Sequence, residues 1–545
     1  MKGSVRQSMA WLHTWSGLVV GWVLLAIFVT GTASYYRADI SRWMRPELMQ
    51  AAPVAPADLP AAAERAVAYL ETHAPKARTW FIGLPQPDHP VLDLFWRTRP
   101  GEPPGRATLD PRTGGEARAR ETMGGDFLYR FHFELHMPPL WGRWVVGVCA
   151  MIMLIALISG IVTHKRIFVD FFTFRRDKAP RRSFLDAHNV TGVLALPFHL
   201  MITYTGLVTL ALMYMPWGVT VAYEGDRQAF FAESGQITAP RPPAGRPAAL
   251  APIGPMVERA LQTVPETLER LTIVNQGDAN ATVVAVFEEP HGLSHEHPQV
   301  AFDGVSGAVI EVLRGGLQPA AKTFTTMVGL HEAHFAGPAL RALFFLCGVM
   351  GSAMVATGLV LWSLARLPKA EARPFPGLRL VQALNIGSVA GLPAAVAVYF
   401  LANRLLPVGL ADRSAWEIRA FFAAWIAVAL LALARPQRRA WRAGLGGVAV
   451  LCLAVVGADL ATIEAHPLRR PSGGEALFLW FDGALLALAA LFAFAARKVS
   501  TYQAPRRAEP AREASLPAAA PRPPKRPAAA APQRRPESGK QRERA

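Results

Sequence analysis

The strongest constraint on this chain is a set of long stretches that hold no charged residue. They lie between Arg6 and Arg37, Arg143 and Lys165, Asp186 and Glu224, Arg341 and Arg366, and Arg379 and Arg404. Each is apolar and long enough for a helix to cross a bilayer, which takes about 20 residues. A soluble domain spreads its apolar residues with a period of about 2 or about 3.6, whereas here they gather in blocks. Three further blocks, near 415–434, 443–463 and 476–496, are interrupted by Glu417, Arg419, Asp459 and Asp482. The pattern predicts eight membrane spans, and hence an all-α polytopic membrane protein.

The net charge of +17 has a direction. Lys165, Arg166, Arg175, Arg176, Lys178, Arg181 and Arg182 follow the second span, and Arg366, Lys369 and Arg373 follow the fourth. Arg435, Arg438, Arg439 and Arg442 join the sixth to the seventh. If spans alternate, all these segments share a side with both termini, and an excess of Lys and Arg marks that side as cytoplasmic. Topology and anionic membrane lipid account for the charge, and no folded basic module argues for nucleic acid. The first apolar run is longer than the core of a usual leader peptide, so it reads as a span. Cys149, Cys347 and Cys452 all fall inside predicted spans without a CxxC pair, so neither disulfides nor thiol redox chemistry is expected.

Two polar inserts, 37–130 and 224–330, separate the early spans and should lie outside the cytoplasm. The first holds a helical stretch (AAAERAVAYLETHA), a strand-like run (VLDLFWRT) and ATLDPRTGGEARA. The second holds MVERALQTVPETLERL, TVVAVFEE and VAFDGVSGAVIEV. Asp110 with Thr113-Gly114, and Asp303 with Ser306-Gly307, have the composition of hairpin turns. The shared order reads as a repeat of two α+β units. The remaining boundaries are a first span at 1–36, spans two and three with a basic loop at 131–223, and span four at 331–366. Four further spans occupy 379–497, and 498–545, rich in Pro, Ala and Arg, reads as a disordered basic tail.

The histidines carry the chemistry. His13 lies in the first span, and His132 and His136 lead into the second, which His164 ends. His188 opens the third, with His199 eleven residues on, and His331 and His334 lead into the fourth. On a straight helix His188 and His199 would share a face, roughly 16 Å apart. Ionisable groups inside a membrane are costly and are normally inward-facing and functional. Neutral imidazole is a common ligand of iron, copper and zinc. Four spans with histidines near both surfaces have the makings of two b-type haem sites, each with two axial imidazoles from different helices. The favoured ligands are His13, His188, His136 and His334, the last two chosen because they lie nearer their spans. His132 is read as a neighbour of the second site, and His199 equally as a ligand or a core residue bonded to Thr203 or Tyr204. His73, His89 and His466 read as solvated. His291, His295 and His297 read as a hairpin loop, with surface metal binding as the alternative.

HEAH at 331–334 is one residue short of the zinc-protease HExxH, and no dinucleotide fingerprint or Walker loop is present. Any electrons would therefore enter from a donor outside the chain, either cytoplasmic or the quinone pool.

The run FLYRFHFELHMPPLWGRWVVGVCAMIMLIALISGIVTHKRIFVDFFTFRRDKAPRRSFLDAHNVTGVLALPFHLMITYTGLV resembles the PepSY-associated transmembrane family. So do WLHTWSGLVVGWVLLAIFVTGTASYYRADI and HFAGPALRALFFLCGVMGSAMVATGLVLW, and the pattern spans about 8–366. The resemblance implies a four-helix core with two PepSY-like periplasmic inserts in a bacterial inner membrane. It also implies a di-haem ferric-siderophore reductase, an oxidoreductase whose core histidines match His13, His136, His188 and His334. The acceptor would be a ferric siderophore or another periplasmic oxidant. Cofactor-free alternatives are a scaffold or regulator binding partners through its inserts, and a transporter marked by Asp459 and Asp482. The last four spans lie outside the resemblance.

Overall fold

A segment surrounded by lipid must close its N–H and C=O groups on itself, so the apolar blocks fold as helices. The computed structural model describes residues 4–50, 53–87, 89–98, 105–164, 180–239, 241–367, 376–435, 437–471 and 474–501. In chain order the helices begin with α1 (Val5–Ser34), α2 (Arg37–Trp43), α3 (Leu59–His73), α4 (Gly125–Glu134) and α5 (Pro139–Thr163). Next come α6 (Pro180–Leu194), α7 (Leu196–Thr209), the short α8 (Ala211–Tyr214), α9 (Trp217–Ala222) and α10 (Arg227–Glu233), then α11 (Ile253–Thr263). After the second insert come α12 (Pro319–Glu332), α13 (Pro338–Leu364), α14 (Pro376–Val389), α15 (Gly391–Leu405), α16 (Arg413–Ala434), α17 (Gln437–Thr462) and α18 (Ala476–Thr501).

Seven segments are long and apolar enough to cross a membrane: α1, α5, α13, Gly377–Leu405 (from α14 into α15), α16, α17 and α18. The pair α6 and α7 qualifies only jointly, with a 67° bend between them, which brings the described residues to as many as eight spans. The chain is a multi-pass membrane protein. Pro197 in the first turn of α7 lacks the N–H that a continuous helix needs, and its ring would crowd the carbonyl four residues back. The break at Ala195 overturns the expectation of a straight third span with His188 and His199 on one face.

The core bundle consists of α1, α5, α6 with α7, and α13. On α5 the residues Trp144, Val148, Met151, Ile155, Ile158 and Val162 are exposed, spaced alternately three and four apart. Its opposite face buries Val146, Cys149, Met153, Ala156 and Leu157, and the helix packs on α1 and α7. An uncovered apolar stripe of this length is a lipid-facing surface.

The two inserts form a single seven-stranded antiparallel sheet. Its strands are β1 (Thr79–Gly83), β2 (Leu92–Arg97), β3 (Gly105–Leu109), β4 (Leu268–Val274), β5 (Thr282–Phe287), β6 (Gln299–Asp303) and β7 (Val309–Leu313). The order is β3-β2-β1-β4-β5-β6-β7, so β1 of the first insert pairs with β4 of the second, from Thr79 opposite Val274 to Gly83 opposite Arg270. Helices α3 and α11 cover one face, with Ala62, Ala63, Ala66, Met256, Val257 and Ala260 in the shared core. The paired turns are alike in detail. Asp110 Oδ1 accepts from the backbone N–H groups of Arg112 and Thr113, and Asp303 Oδ1 from those of Val305 and Ser306. Gly114 and Gly307 both adopt φ of 73°.

Sequence reasoning missed β1 and extended the helix of the second insert too far. After Pro265, which cannot continue a helix, Leu268–Leu271 begins β4. Trp80 is buried beneath α3 with its Nε1 donating to the Ala74 carbonyl, whereas Trp141 is exposed at the start of α5. The helix α18 runs to Thr501, four residues into the stretch read as tail; 502–545, and 165–179 of the basic loop, lie outside the described residues.

The last four spans are clasped to the first insert by buried charge. Asp459 pairs with Arg404, whose Nη2 donates to the Trp43 carbonyl at 2.9 Å, and Trp43 Nε1 donates to Asp459 at 3.0 Å. Glu417 pairs with Arg413 and accepts from Asn403 and from Thr122 in the first insert. His466, read as solvated, is fully buried and bonded to Asp482 at 3.0 Å, since the loop after α17 folds back onto α18. The acidic residues that seemed to weaken these spans are thus answered internally. Removing one partner strands the other in a medium that cannot solvate it, typically costing about 3–5 kcal/mol. Arg404→Ala should therefore lower the melting temperature in detergent by many degrees, while Arg419→Ala, on the exposed face of α16, should shift it little.

Candidate functional site

Each half of the core bundle supplies two histidines, and they meet in pairs across it. On the side of the basic loop, His13 of α1 faces His188 of α6 with ring centroids 6.1 Å apart and planes at 68°. On the sheet side, His132 of α4 faces His331 of α12 at 6.0 Å and 30°. In both pairs the rings come from different helices.

One local device holds all four rings. His13 Nδ1 lies 2.8 Å from the Ala156 carbonyl, His188 Nδ1 2.8 Å from that of Met354, and His132 Nδ1 2.8 Å from that of Ile27. His331 Nδ1 sits 3.1 Å from the Thr205 hydroxyl and against the Ile202 carbonyl. Four residues after each carbonyl stands a glycine: Gly160, Gly358, Gly31 and Gly206. A Cβ there would come within 3.1 Å of the His13 ring, 3.1 Å of His188, 2.6 Å of His132 and 2.8 Å of His331. Three residues after each carbonyl stands a Ser or Thr: the Ser159 hydroxyl donates back to it at 3.0 Å, while those of Thr357, Thr30 and Thr205 donate chiefly to the carbonyl one residue earlier, at 2.6, 2.7 and 2.7 Å, and reach the cradle carbonyl at 3.0, 3.4 and 3.3 Å. The glycine opens the helix surface, and the imidazole enters to reach a carbonyl that already closes a helix turn.

This contact fixes the tautomer. A carbonyl has no proton to give, so Nδ1 carries it and Nε2 keeps its lone pair. Among the described residues none hydrogen-bonds to Nε2 of these four rings. A histidine that donates through one nitrogen to a backbone carbonyl and offers the other is the usual form of a metal-ligating imidazole.

The rings line two cavities. The basic-side cavity, about 780 Å³, is lined by His13, His188, His164, Gly17, Arg181 and Arg366, among others. The sheet-side cavity, about 1070 Å³, is lined by His132, His331, Arg37, Arg45, Arg143 and Arg341, among others. Leu24 and Met153 line both, so a single layer of side chains separates them. Two metal–imidazole bonds of about 2 Å, with about 1 Å from each nitrogen to its ring centre, put the centroids of a bis-imidazole pair about 6 Å apart. Both pairs fit that spacing, and both cavities have the size of cofactor sites.

Of the six histidines singled out in the sequence, His13, His188 and His132 fall in these pairs. The expectation that His136 and His334 stand together in the bundle is overturned. Helix α4 ends at Glu134, and Leu135 and His136 take left-handed φ of 52° and 55°, which swings the His136 ring onto Phe127 and Phe422. Helix α12 ends at Glu332, and Ala333 at φ 59° carries His334 out to the Glu289 carboxylate at 3.1 Å. The residue nearer the span is the one past the helix end, so the earlier histidine of each motif faces the bundle. His331 was therefore missed as a ligand candidate. The sequence signal was the Ser/Thr-Gly dipeptide that recurs in TGTAS, SGIVT, TGLVT and TGLVL. His199 is fully buried edge-on to Phe28 at 6.1 Å and lines neither cavity. His164 caps α5 with Nε2 3.0 Å from Asn189 Oδ1.

His334 belongs to a separate cluster at the mouth of the sheet-side cavity. Burial alone would raise the Glu289 carboxyl, but hydrogen bonds from His295 and His334 hold it down at about 2. The same contacts raise both imidazoles above their ordinary value, against the burial that by itself lowers them.

An uncharacterised protein of Pseudomonas aeruginosa is 31% identical over 380 residues, a match that covers 66% of this chain and 93% of that protein. The family described as the PepSY-associated TM region matches residues 10–364, which run from just before His13 to the end of α13 and contain all four histidine cradles. The chain therefore belongs to the PepSY-associated transmembrane family.

Proposed function

We propose that the protein is a di-haem electron carrier of the bacterial inner membrane that reduces ferric siderophore iron in the periplasm. The observation that carries this reading is the recurrence, at two depths, of two imidazoles from different helices. Each has Nδ1 on the backbone and Nε2 open to a cofactor-sized cavity. His13 and His188 would hold a b-type haem on the cytoplasmic side, and His132 and His331 a second on the periplasmic side. Bound in this way, an iron porphyrin supplies a one-electron ferric–ferrous couple.

The chain's own residues do the rest. The four carbonyls fix the imidazole planes and raise their basicity. Leu24 and Met153 keep the two cavities separate and within one side-chain layer of each other. Arg37, Arg45, Arg143 and Arg341 offer the sheet-side cavity guanidinium groups that could bond propionates or an anionic acceptor, and Asp93, Asp126, Glu269 and Glu332 share the lining with them. The excess of Lys and Arg after spans two and four favours the cytoplasm for that end of the bundle, where a cytosolic or quinone donor would deliver electrons. Oxygen-rich chelators favour the ferric ion, and one-electron reduction lowers the charge that holds it.

Detergent-purified protein should show the visible spectrum of reduced b-type haem with two haems per chain. His13→Ala or His188→Ala should remove one haem and His132→Ala or His331→Ala the other, while His136→Ala and His334→Ala keep both. Adding a ferric siderophore to the pre-reduced protein should reoxidise it in stopped flow. A colourless protein, or haem lost from the His136 and His334 variants instead, contradicts the reading.

Glycine substitutions test the two sites without replacing a ligand. Gly17 lines the basic-side cavity with no atom within 4 Å of where its Cβ would stand. Gly17→Leu should fold with an unchanged melting temperature in the haem-free protein yet lose the cytoplasmic-side haem. Gly31→Val, whose side chain meets the His132 ring, should lose the periplasmic-side haem instead.

A further inference from the structure

We propose that Glu289, His295 and His334 form a binding site for one divalent first-row transition-metal cation at the mouth of the sheet-side cavity. One donor atom from each of the three lies within 4.8 Å of the others, so a single ion can reach all of them. Two imidazoles with one carboxylate is a donor set that suits zinc, ferrous iron, nickel or copper, whereas calcium and magnesium prefer oxygen alone. Glu332 and His297 stand ready beside it. Glu332 Oε2 is 3.4 Å from His334 Nε2, and His297 Nε2 is 3.6 Å from Glu289 Oε1.

The site is built from two parts of the fold. Glu289, His295 and His297 lie on the loop between β5 and β6, and His334 follows α12. The loop is locked onto α12: the His295 N–H donates to the Thr325 carbonyl at 3.0 Å, and the Ser294 and Thr325 hydroxyls are 2.7 Å apart. It lies so close that a Cβ on Gly329 would sit 2.0 Å from the Leu293 carbonyl oxygen. Such a seat presets His295 toward His334, a preorganisation that a chance meeting of surface side chains lacks.

The Glu289 carboxylate faces both imidazoles, which puts a negative charge beside the two ring nitrogens that a dication would share. His334 and Glu332 also line the sheet-side cavity. On the reductase reading this would be the holding point for ferrous iron as it leaves a reduced siderophore. That use rests on the reading of the previous section, whereas the metal site does not.

The test is a cobalt titration of the full chain in detergent, purified through a histidine-free tag. Co²⁺ absorption should report one ion per chain, displaced by Zn²⁺. His295→Ala/His334→Ala and Glu289→Gln should weaken binding at least tenfold while keeping the metal-free melting temperature. His136→Ala and His188→Ala should bind cobalt as the parent does, so loss of haem and loss of this site are read separately. Equal cobalt affinity in parent and triad variants, or no cobalt bound by the parent, overturns the site.

Discussion

The structure turns on a contact between an imidazole N–H and a helix carbonyl. That carbonyl is already committed to its own helix, and it is normally shielded by the side chain four residues on. Only a glycine there lets a ring close in, although glycine costs about 1 kcal/mol relative to alanine inside a helix. The protein accepts that cost at Gly31, Gly160, Gly206 and Gly358. In return each ring has a single tautomer and a single plane, with its other nitrogen directed away from the backbone.

The contact also explains how the chain is organised. Its first half runs α1, insert, α4, α5; its second runs α6 and α7, insert, α12, α13. In the first half His132 rests on α1 and His13 on α5. In the second His331 rests on α7 and His188 on α13. The interval from His13 to Gly31 equals that from His188 to Gly206. Each half thus seats its own histidines, and the partners of a pair come one from each half. The sheet follows the same rule, joining the halves along β1 and β4. The last four spans lie outside this symmetry and are tied to it by polar contacts that lipid cannot replace, those of Arg404, Asp459, Arg413 and Glu417.

Much of this was legible in the residues. Charge-free blocks gave the spans, because their signal depends on length and composition alone. The Asp-x-x-Thr/Ser-Gly turns gave the hairpins, because their capping is local. What stayed hidden depended on a third dimension. Nothing in TWFIG announces a strand that pairs with another insert nearly two hundred residues away. The choice between His132 and His136, or His331 and His334, depended on where a short helix stops. Leu135 and Ala333 adopt left-handed backbone there, and neither residue type advertises it. Pro197 did carry a warning that the third span bends. The Ser/Thr-Gly dipeptides were in plain sight, but they acquire meaning only when a ring from another helix is found resting on each.

The central claim is that these four rings form two sites, each open to a flat metal-bearing group. An experimental density map of the full chain, purified from a host that makes haem, tests this most directly. The account predicts two planar densities, one bridging His13 and His188 and the other bridging His132 and His331, with each Nδ1 still on its helix carbonyl. A map with apolar side chains filling both gaps, or with planar density seated on His136 and His334, would contradict it.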